Sequence, residues 1–290
     1  MKNKRKINST GVGLGLHARR ILAYVVLIIV SFFCLFWFYV LFVNATRSNS
    51  NLQSGFSVLP SSNLLSNWKH LLEKSGLPVI QGMLNSLIIS TCSAVVCVYF
   101  STMTAYAIHV YDFKLKKFIY PFILAVMMIP TQVTALGFVN LVSDMNLEDS
   151  FIPLIIPQIA VPITFFYMKQ YMESSLPLSL VEAARIDGSG EFRTFNHIVL
   201  PLMKPAIAVQ AIFTFVSSWN NYFIPALILH DDSKKTLPIL IAQLRAADWL
   251  KFDMGQVYMM IAFAIVPVII VYICLSKFIV RGVTLGGVKG

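Results

Sequence analysis

Long runs of apolar residues alternate with short polar connections along this chain, and the runs are too continuous for helices that bury only one face. A helix that crosses a bilayer needs about 20 mainly apolar residues. Six segments reach or approach that length without an Asp, Glu, Lys or Arg. The pattern predicts an all-α integral membrane protein with about six transmembrane helices. The predicted spans are Ile21–Val43, Leu84–Val110, Phe118–Val142, Phe151–Met168, Ala206–His230 and Val257–Ser276.

The fourth predicted span is the shortest, and it contains three prolines. Proline removes a backbone donor and disfavours a helical conformation in the residue before it. We therefore expect the first turns of this span to be irregular, or to be pressed against the protein rather than the lipid. The prolines are Pro153, Pro157 and Pro162.

Composition supports the membrane assignment. Hydrophobic residues make up 57% of the chain and charged residues 12%, whereas a soluble domain carries about 25% charged residues. All 23 basic and 13 acidic residues lie outside the predicted spans. The net charge of +10 is explained by the accumulation of Lys and Arg on the cytoplasmic side of membrane proteins, so we expect no nucleic-acid partner.

The same charges orient the spans. One side of the predicted topology carries 16 Lys and Arg residues and the other carries 7. The richer side comprises both ends of the chain and the second and fourth connections. Because Lys and Arg favour the cytoplasmic side, both termini are predicted to be cytoplasmic.

Residue patterns for catalysis or cofactor binding are not found in the sequence. The four cysteines and five histidines are scattered and match no metal-ligand spacing. Neither a Gly-x-Ser-x-Gly elbow nor a Gly-x-x-x-x-Gly-Lys-Ser/Thr phosphate loop occurs. We expect no catalytic residue, no metal site and no cofactor bound by this chain.

The connection between the fourth and fifth spans, Leu176–Pro201, predicts two short helices. Pro177 is acceptable in a first helical turn, and Gly188 is placed to end the first helix. A second helix starting at Ser189 would stop at Pro201. It would present three apolar side chains on one side, namely Phe192, Phe195 and Val199.

Two interpretations of this connection remain open from its periodicity. It is either an amphipathic segment on the membrane surface or a docking element. The first does not explain the small residues Ala183 and Ala184 beside Glu182, which would let a helix enter a cleft. Glu182 is also placed to pair with Arg185 at the i,i+3 spacing.

The string Glu182-Ala183-Ala184-x-x-Asp187-Gly188, followed by Ile198-x-Leu200-Pro201, resembles the signature loop of binding-protein-dependent ABC transporter permeases. Further segments are similar to the smaller permease of maltose-type carbohydrate importers. The resemblance covers about residues 20–290, which indicates a cytoplasmic N-terminal tail (1–20) and a permease domain (21–290). The supporting segments are Asn85-Ser86, Ile129-Pro130, Ser218-Trp219-Asn220, Pro225, Thr236-Leu237-Pro238 and Gly286–Gly290.

This resemblance implies a prokaryotic cell-membrane (inner-membrane) importer with several components. The partners would be a second homologous permease, two ATPase subunits that bind ATP and Mg, and an extracytoplasmic solute-binding protein that delivers a sugar. The connection would be the coupling loop that docks in an ATPase cleft, although Ser189-Gly190 departs from the family pattern. The implied coupling residues are Glu182, Ala183, Ala184, Arg185, Asp187, Gly188, Phe192, Leu200 and Pro201.

Uncharged polar residues inside the spans are candidates for the sugar pathway, because such groups are costly unless they face protein or water. The alternatives are hydrogen bonds between helices and an interfacial position for the tryptophan. The candidates are Asn85, Gln132, Asn140, Gln210, Trp219, Asn220 and Asn221.

The fifth connection, Asp231–Gln256, is predicted to lie outside the cell. The resemblance implies that it contacts the binding protein, and the alternative is a solvated loop with an interfacial Trp. The candidate contact residues are Gln243, Arg245, Asp248 and Trp249.

Other function classes fit less well. An ion-coupled secondary transporter usually carries ionisable residues in its spans, and a membrane enzyme would need a nucleophile or metal constellation. An ABC permease for an amino acid, peptide, polyol or glycerol phosphate remains an alternative substrate assignment.

Overall fold

The computed structural model describes residues 10–246 and 253–286, and this part of the chain folds into helices without a strand. Four helices are long and apolar enough to cross a membrane, and six crossings result if each of two bent helix pairs makes one. The predicted all-α membrane class is confirmed. The helices are α1 (Thr10–Ala45), α2 (Asn49–Gln53), α3 (Leu64–Glu73), α4 (Val79–Val110), α5 (Lys116–Val126), α6 (Thr131–Asp144), α7 (Ile152–Ile155), α8 (Pro162–Ser175), α9 (Leu178–Ile186), α10 (Glu191–Thr194), α11 (Leu200–Leu202), α12 (Lys204–Trp219), α13 (Phe223–Ile228), α14 (Leu237–Arg245) and α15 (Met254–Gly286).

The predicted third span is wrong as a single helix. Phe118–Val142 is divided between α5 and α6, which meet at an angle of 97°. Pro130 precedes α6 in an extended conformation. Because proline disfavours the helical conformation of the residue before it, a helix usually ends by that point.

The predicted fifth span, Ala206–His230, is also broken. Helix α12 ends at Trp219, and α13 begins at Phe223. Pro225 cannot donate to the carbonyl of Asn221, and its ring would clash with that carbonyl in a continuous helix. The chain therefore turns at Asn220 and Asn221.

The irregular start predicted for the fourth span is confirmed. The single helical turn α7 passes into a 3₁₀ turn, Ile156–Ala160, before the regular helix α8 begins at Pro162. The three prolines lie near the starts of these pieces, where a missing backbone N–H is tolerated.

The chain divides into two compact units. The first, described over residues 10–70 and 253–262, contains α1, whose side chains from Ile21 to Phe33 are largely exposed apolar groups. Such a surface suits a lipid environment. Its connection to α2 is stabilised by the buried Arg47, which donates to the carbonyl oxygens of Asn51 and Gly55.

The second unit, described over residues 71–246 and 263–286, is organised around α4. This helix packs against α8, α12 and the 3₁₀ turn. Its buried face is rich in small side chains, which let neighbouring helix backbones approach closely. These residues are Gly82, Ser86, Ser90, Ser93, Ala94, Cys97, Ser101 and Ala105.

Gly82→Ala should destabilise the protein, because the added Cβ would overlap the fully buried Leu240 side chain on α14. Overpacking of this kind typically costs about 1–3 kcal/mol. The measurement is the apparent Tm of the purified protein in detergent. The matched control is Gly137→Ala in α6, where no atom lies within 4 Å of the new Cβ. Equal Tm values for the two variants would contradict the close packing of α4 and α14.

Candidate functional site

We call the connection between α8 and α12 the coupling loop, after the role that the resemblance implies. It contains the two helical pieces that the sequence predicts. Helix α9 runs from Leu178 to Ile186 and ends before Gly188, which has a φ of +76°. A left-handed backbone at this position favours glycine. The second piece begins at Glu191 rather than Ser189, because Gly190 is extended and serves as its N-cap.

Pro201 does not end the second piece, contrary to the prediction. The chain continues from α10 through a π-helical turn, Phe195–Val199, into α11, which contains Pro201. The helix ends at Leu202, and α12 follows after a bend of 81°. The wider π turn also changes which residues share a face. Phe195 and Val199 are buried, whereas Phe192 is 70% exposed.

The two faces of α9 have different surroundings. Val181 and Ala184 are buried within the protein, whereas Glu182, Ala183 and Ile186 are exposed. Ile186 is 86% exposed. Ala184 is therefore packed against its own chain and is not free to enter a partner's cleft, which corrects that part of the expectation. Asp187 is exposed at the end of α9, and Leu200 is half-buried.

Arg185 pairs with Glu191 rather than with Glu182. The Arg185 Nε lies 2.7 Å from the Glu191 Oε1, because the turn at Gly188 brings the second helical piece back toward α9. This bond raises the pKa of the Arg185 guanidinium. Glu182 keeps its carboxylate exposed.

Glu191 also joins the coupling loop to the C-terminal end of α4. Its Oε2 accepts a hydrogen bond of 3.0 Å from the Tyr106 hydroxyl. The Arg185 guanidinium lies 5.5 Å from the centre of the Tyr111 ring, within cation–π distance. Sequence reasoning missed this role of Glu191, since 85 residues separate it from Tyr106 and no local spacing relates them.

Further contacts hold the loop against α4. The Tyr99 hydroxyl donates to the Asn196 Oδ1 at 3.3 Å, and the Tyr99 ring meets Phe195 edge-on with ring centres 5.7 Å apart. His109 Nε2 lies 3.1 Å from the Leu176 carbonyl oxygen. The loop is thus tied along α4 at several points rather than being suspended between α8 and α12.

The predicted pathway residues do not converge on one site. Asn85 is buried and donates to the carbonyl oxygens of Ser233 and Lys235, both at 2.9 Å. Trp219 is 3% exposed and stacks on Phe215. Both side chains are therefore engaged within this chain, and their assignment to the sugar pathway stays a prediction.

The other pathway candidates differ in exposure. Gln210 is buried, Asn221 is half-buried, and three amides are exposed: Gln132, Asn140 and Asn220.

Helix α14 lies within the connection Asp231–Gln256, which is predicted to contact the binding protein. Arg245 is exposed at its end, and Gln243 is half-buried with its Oε1 buried. Asp248 and Trp249 lie outside the described residues. Within the described ranges, three or more His, Cys, Asp or Glu residues nowhere form a group suited to a metal ion.

Comparison with protein families identifies the chain. Residues 98–285 match the family described as binding-protein-dependent transport system inner membrane component. The chain belongs to this family. It is therefore a multi-pass inner membrane permease. The matched region begins at Val98 and includes the whole connection between α8 and α12.

Similar proteins agree with this family. The arabinooligosaccharides transport system permease protein AraQ of Bacillus subtilis is 38% identical over 71% of this chain and 72% of its own length. The sn-glycerol-3-phosphate transport system permease protein UgpE of Yersinia pestis is 30% identical over 90% of this chain and 95% of its own length.

A solved structure shares the permease fold. It is a bacterial ABC transporter involved in the import of the acidic polysaccharide alginate. The TM-score is 0.76 at 22% identity, over 94% of this chain and 99% of the other.

Glu191→Ala should loosen the coupling loop, because it removes the acceptor shared by Arg185 and Tyr106. We expect severalfold faster hydrogen–deuterium exchange across residues 187–196. The matched control, Glu173→Ala, breaks the ion pair with Lys169 on α8 and should leave exchange in that segment unchanged. Unchanged exchange in Glu191→Ala would show that apolar packing alone holds the loop.

Asn85→Ala should destabilise the permease by about 1–3 kcal/mol, because two carbonyls lose their donor. The expected result is a lower Tm than for Asn140→Ala, which truncates an exposed amide on α6. A normal Tm combined with loss of uptake would instead identify Asn85 as a substrate contact.

Proposed function

We propose that this chain is one permease subunit of an ATP-binding-cassette importer and that, with a second homologous permease, it forms the pathway for a sugar or oligosaccharide. The observation that carries the proposal is the exposed surface of α9. Glu182, Ala183 and Ile186 present a carboxylate, a small residue and an apolar side chain on a loop tied to α4. These side chains would be accessible to a protein partner on this face of the loop.

The partners follow from this arrangement. One of two ATPase subunits, which bind ATP and Mg, would dock on this surface and the other on the second permease, while this chain would contribute no catalytic residue. A solute-binding protein would dock on the opposite side. The excess of Lys and Arg in the connections on the coupling-loop side supports cytoplasmic termini.

The contacts of the loop suggest how movement is transmitted. Closure of the ATPases would displace α9, and the Arg185–Glu191–Tyr106 connection would pass that displacement to α4. Because α8 and α12 pack on α4, the helices that line the pathway would shift together. Packed helices move as rigid bodies, since their cores are not continuously deformable.

Within the pathway, the exposed amides Gln132 and Asn220 are better candidates for sugar contacts than the buried Gln210. An exposed amide on a membrane helix is costly in lipid, so these two side chains would face the second permease or the aqueous path. Asn221 faces an internal cavity and would not contact the sugar. On the outer side, Gln243 and Arg245 remain the proposed contacts for the binding protein.

The substrate class follows from the names of similar proteins. AraQ is named for arabino-oligosaccharide transport and UgpE for glycerol-3-phosphate transport. We favour a neutral oligosaccharide, because AraQ has the higher identity, 38% against 30%. Glycerol phosphate is the second candidate.

Glu182→Ala should abolish most uptake while leaving membrane insertion intact, because it removes the carboxylate proposed to bond a basic ATPase group. The measurements are binding-protein-stimulated ATPase activity and co-purification of the ATPase. Glu148→Ala is the matched control, since Glu148 is an exposed carboxylate before α7, on the predicted outer side. Normal stimulated activity in Glu182→Ala would overturn the docking role.

Substrate choice is testable by uptake competition in cells that express the complete importer. Unlabelled arabino-oligosaccharides should suppress uptake of labelled oligosaccharide at least tenfold more effectively than glycerol-3-phosphate. The opposite order would assign the importer to glycerol phosphate. Competition by neither compound would exclude both candidates and direct the search to other solutes.

A further inference from the structure

A small polar cavity lies inside the second unit, where several irregular parts of the fold meet. Helix α4, the 3₁₀ turn of the fourth crossing, the break between α12 and α13, and the start of α14 all contribute to its lining. Its volume is about 50 Å³. The polar groups that matter here belong to Ser86, Ser90, Gln158, Ser218, Asn221 and Thr236.

Two hydroxyl groups that line this cavity have no hydrogen-bond partner among the described residues. They are the Oγ of Ser90 and the Oγ1 of Thr236, and the two residues are 0% and 4% exposed. A buried polar group left unpaired costs about 1–3 kcal/mol. Two such groups lining one cavity therefore indicate a ligand that can hydrogen-bond to both.

The start of α14 explains why the Thr236 hydroxyl is available. Thr236 is the N-cap residue of α14, but its side chain makes no capping hydrogen bond. The capping role is performed by α4, since Ser86 Oγ accepts a hydrogen bond of 2.8 Å from the Leu237 N–H.

The volume of the cavity limits the size of the ligand that it can hold. A water molecule occupies about 30 Å³ in the liquid, whereas a cavity that binds benzene measures about 150 Å³. A sugar ring with its hydroxyls is larger than benzene and would not fit. We propose that this cavity binds one or two water molecules, held by Ser90 and Thr236 together with the amides of Gln158 and Asn221.

The position of the cavity gives this site a structural role. Helix breaks leave backbone groups without their usual partners, and at membrane depth these groups need other helices, side chains or ordered water. The proposed water lies beside the irregular start of the fourth crossing and the break at Asn221. It would link both to α4 and α14 through hydrogen bonds that can exchange when these elements move. This inference does not depend on the proposed substrate or partners.

The variants Ser90→Ala and Thr236→Val test the proposal by the sign of the stability change. If water binds here, each variant removes one of its partners, and Tm should fall by about 2–4 °C. If the hydroxyls are simply unpaired, their removal should raise Tm. Ser93→Ala is the matched control, because the Ser93 Oγ is also buried and unpartnered on α4 but does not line the cavity.

Radiolytic hydroxyl-radical labelling of the wild-type permease in nanodiscs gives an independent readout, since radicals formed from bound water label adjacent buried side chains. Ile89 and Leu154 line the cavity, and Leu240 is buried away from it. We expect Ile89 and Leu154 to be labelled at least fivefold faster than Leu240. Labelling at the Leu240 rate, or a Tm that is unchanged or raised in both variants, would overturn the proposal.

Discussion

The bilayer core contains no water to satisfy backbone groups, and the long helices and the helix breaks of this fold reflect that constraint. A continuous apolar helix satisfies its own backbone groups, which is why charge-free segments form the central parts of α1, α4 and α15. The proline-containing segments cannot satisfy all of their own backbone groups, because their helices must turn or break. The breaks before Pro130 and Pro225 are compatible with a membrane protein only if neighbouring protein or trapped water supplies the missing partners. Helix α4, with its small buried side chains, provides the surface against which α8 and α12 pack.

The coupling loop shows how a surface element is fixed to such a core. Glu182 and Ile186 are exposed on its surface, while Glu191 accepts hydrogen bonds from Arg185 and Tyr106. An exposed ion pair alone contributes little to stability. The loop is positioned because this pair is combined with aromatic contacts around Phe195 and with the hydrogen bond between Tyr99 and Asn196. In the proposed function, a force applied at α9 would therefore act on α4.

Polar residues in the crossings have two distinct uses in this permease. Asn85 and Ser86 connect α4 to the segment around α14 through hydrogen bonds with its backbone, and Trp219 packs within the core. Gln132 and Asn220 remain exposed. A pathway shared between two permeases would place its polar surface at their interface, so we propose the exposed amides, rather than the buried ones, as contacts for the transported solute.

The sequence alone determined the membrane class, the irregular fourth crossing, the end of α9 at Gly188 and the family resemblance that the comparisons then confirmed. These features depend on local composition, on the backbone limits of proline and glycine, or on a contiguous motif. Tertiary structure decided that Arg185 pairs with Glu191. It also decided that Ala184 is buried whereas Phe192 is exposed, and that Asn85 donates to backbone carbonyls about 150 residues away. These outcomes depend on which helix faces pack together, and a π turn or a helix break changes those faces without a clear signal in the periodicity.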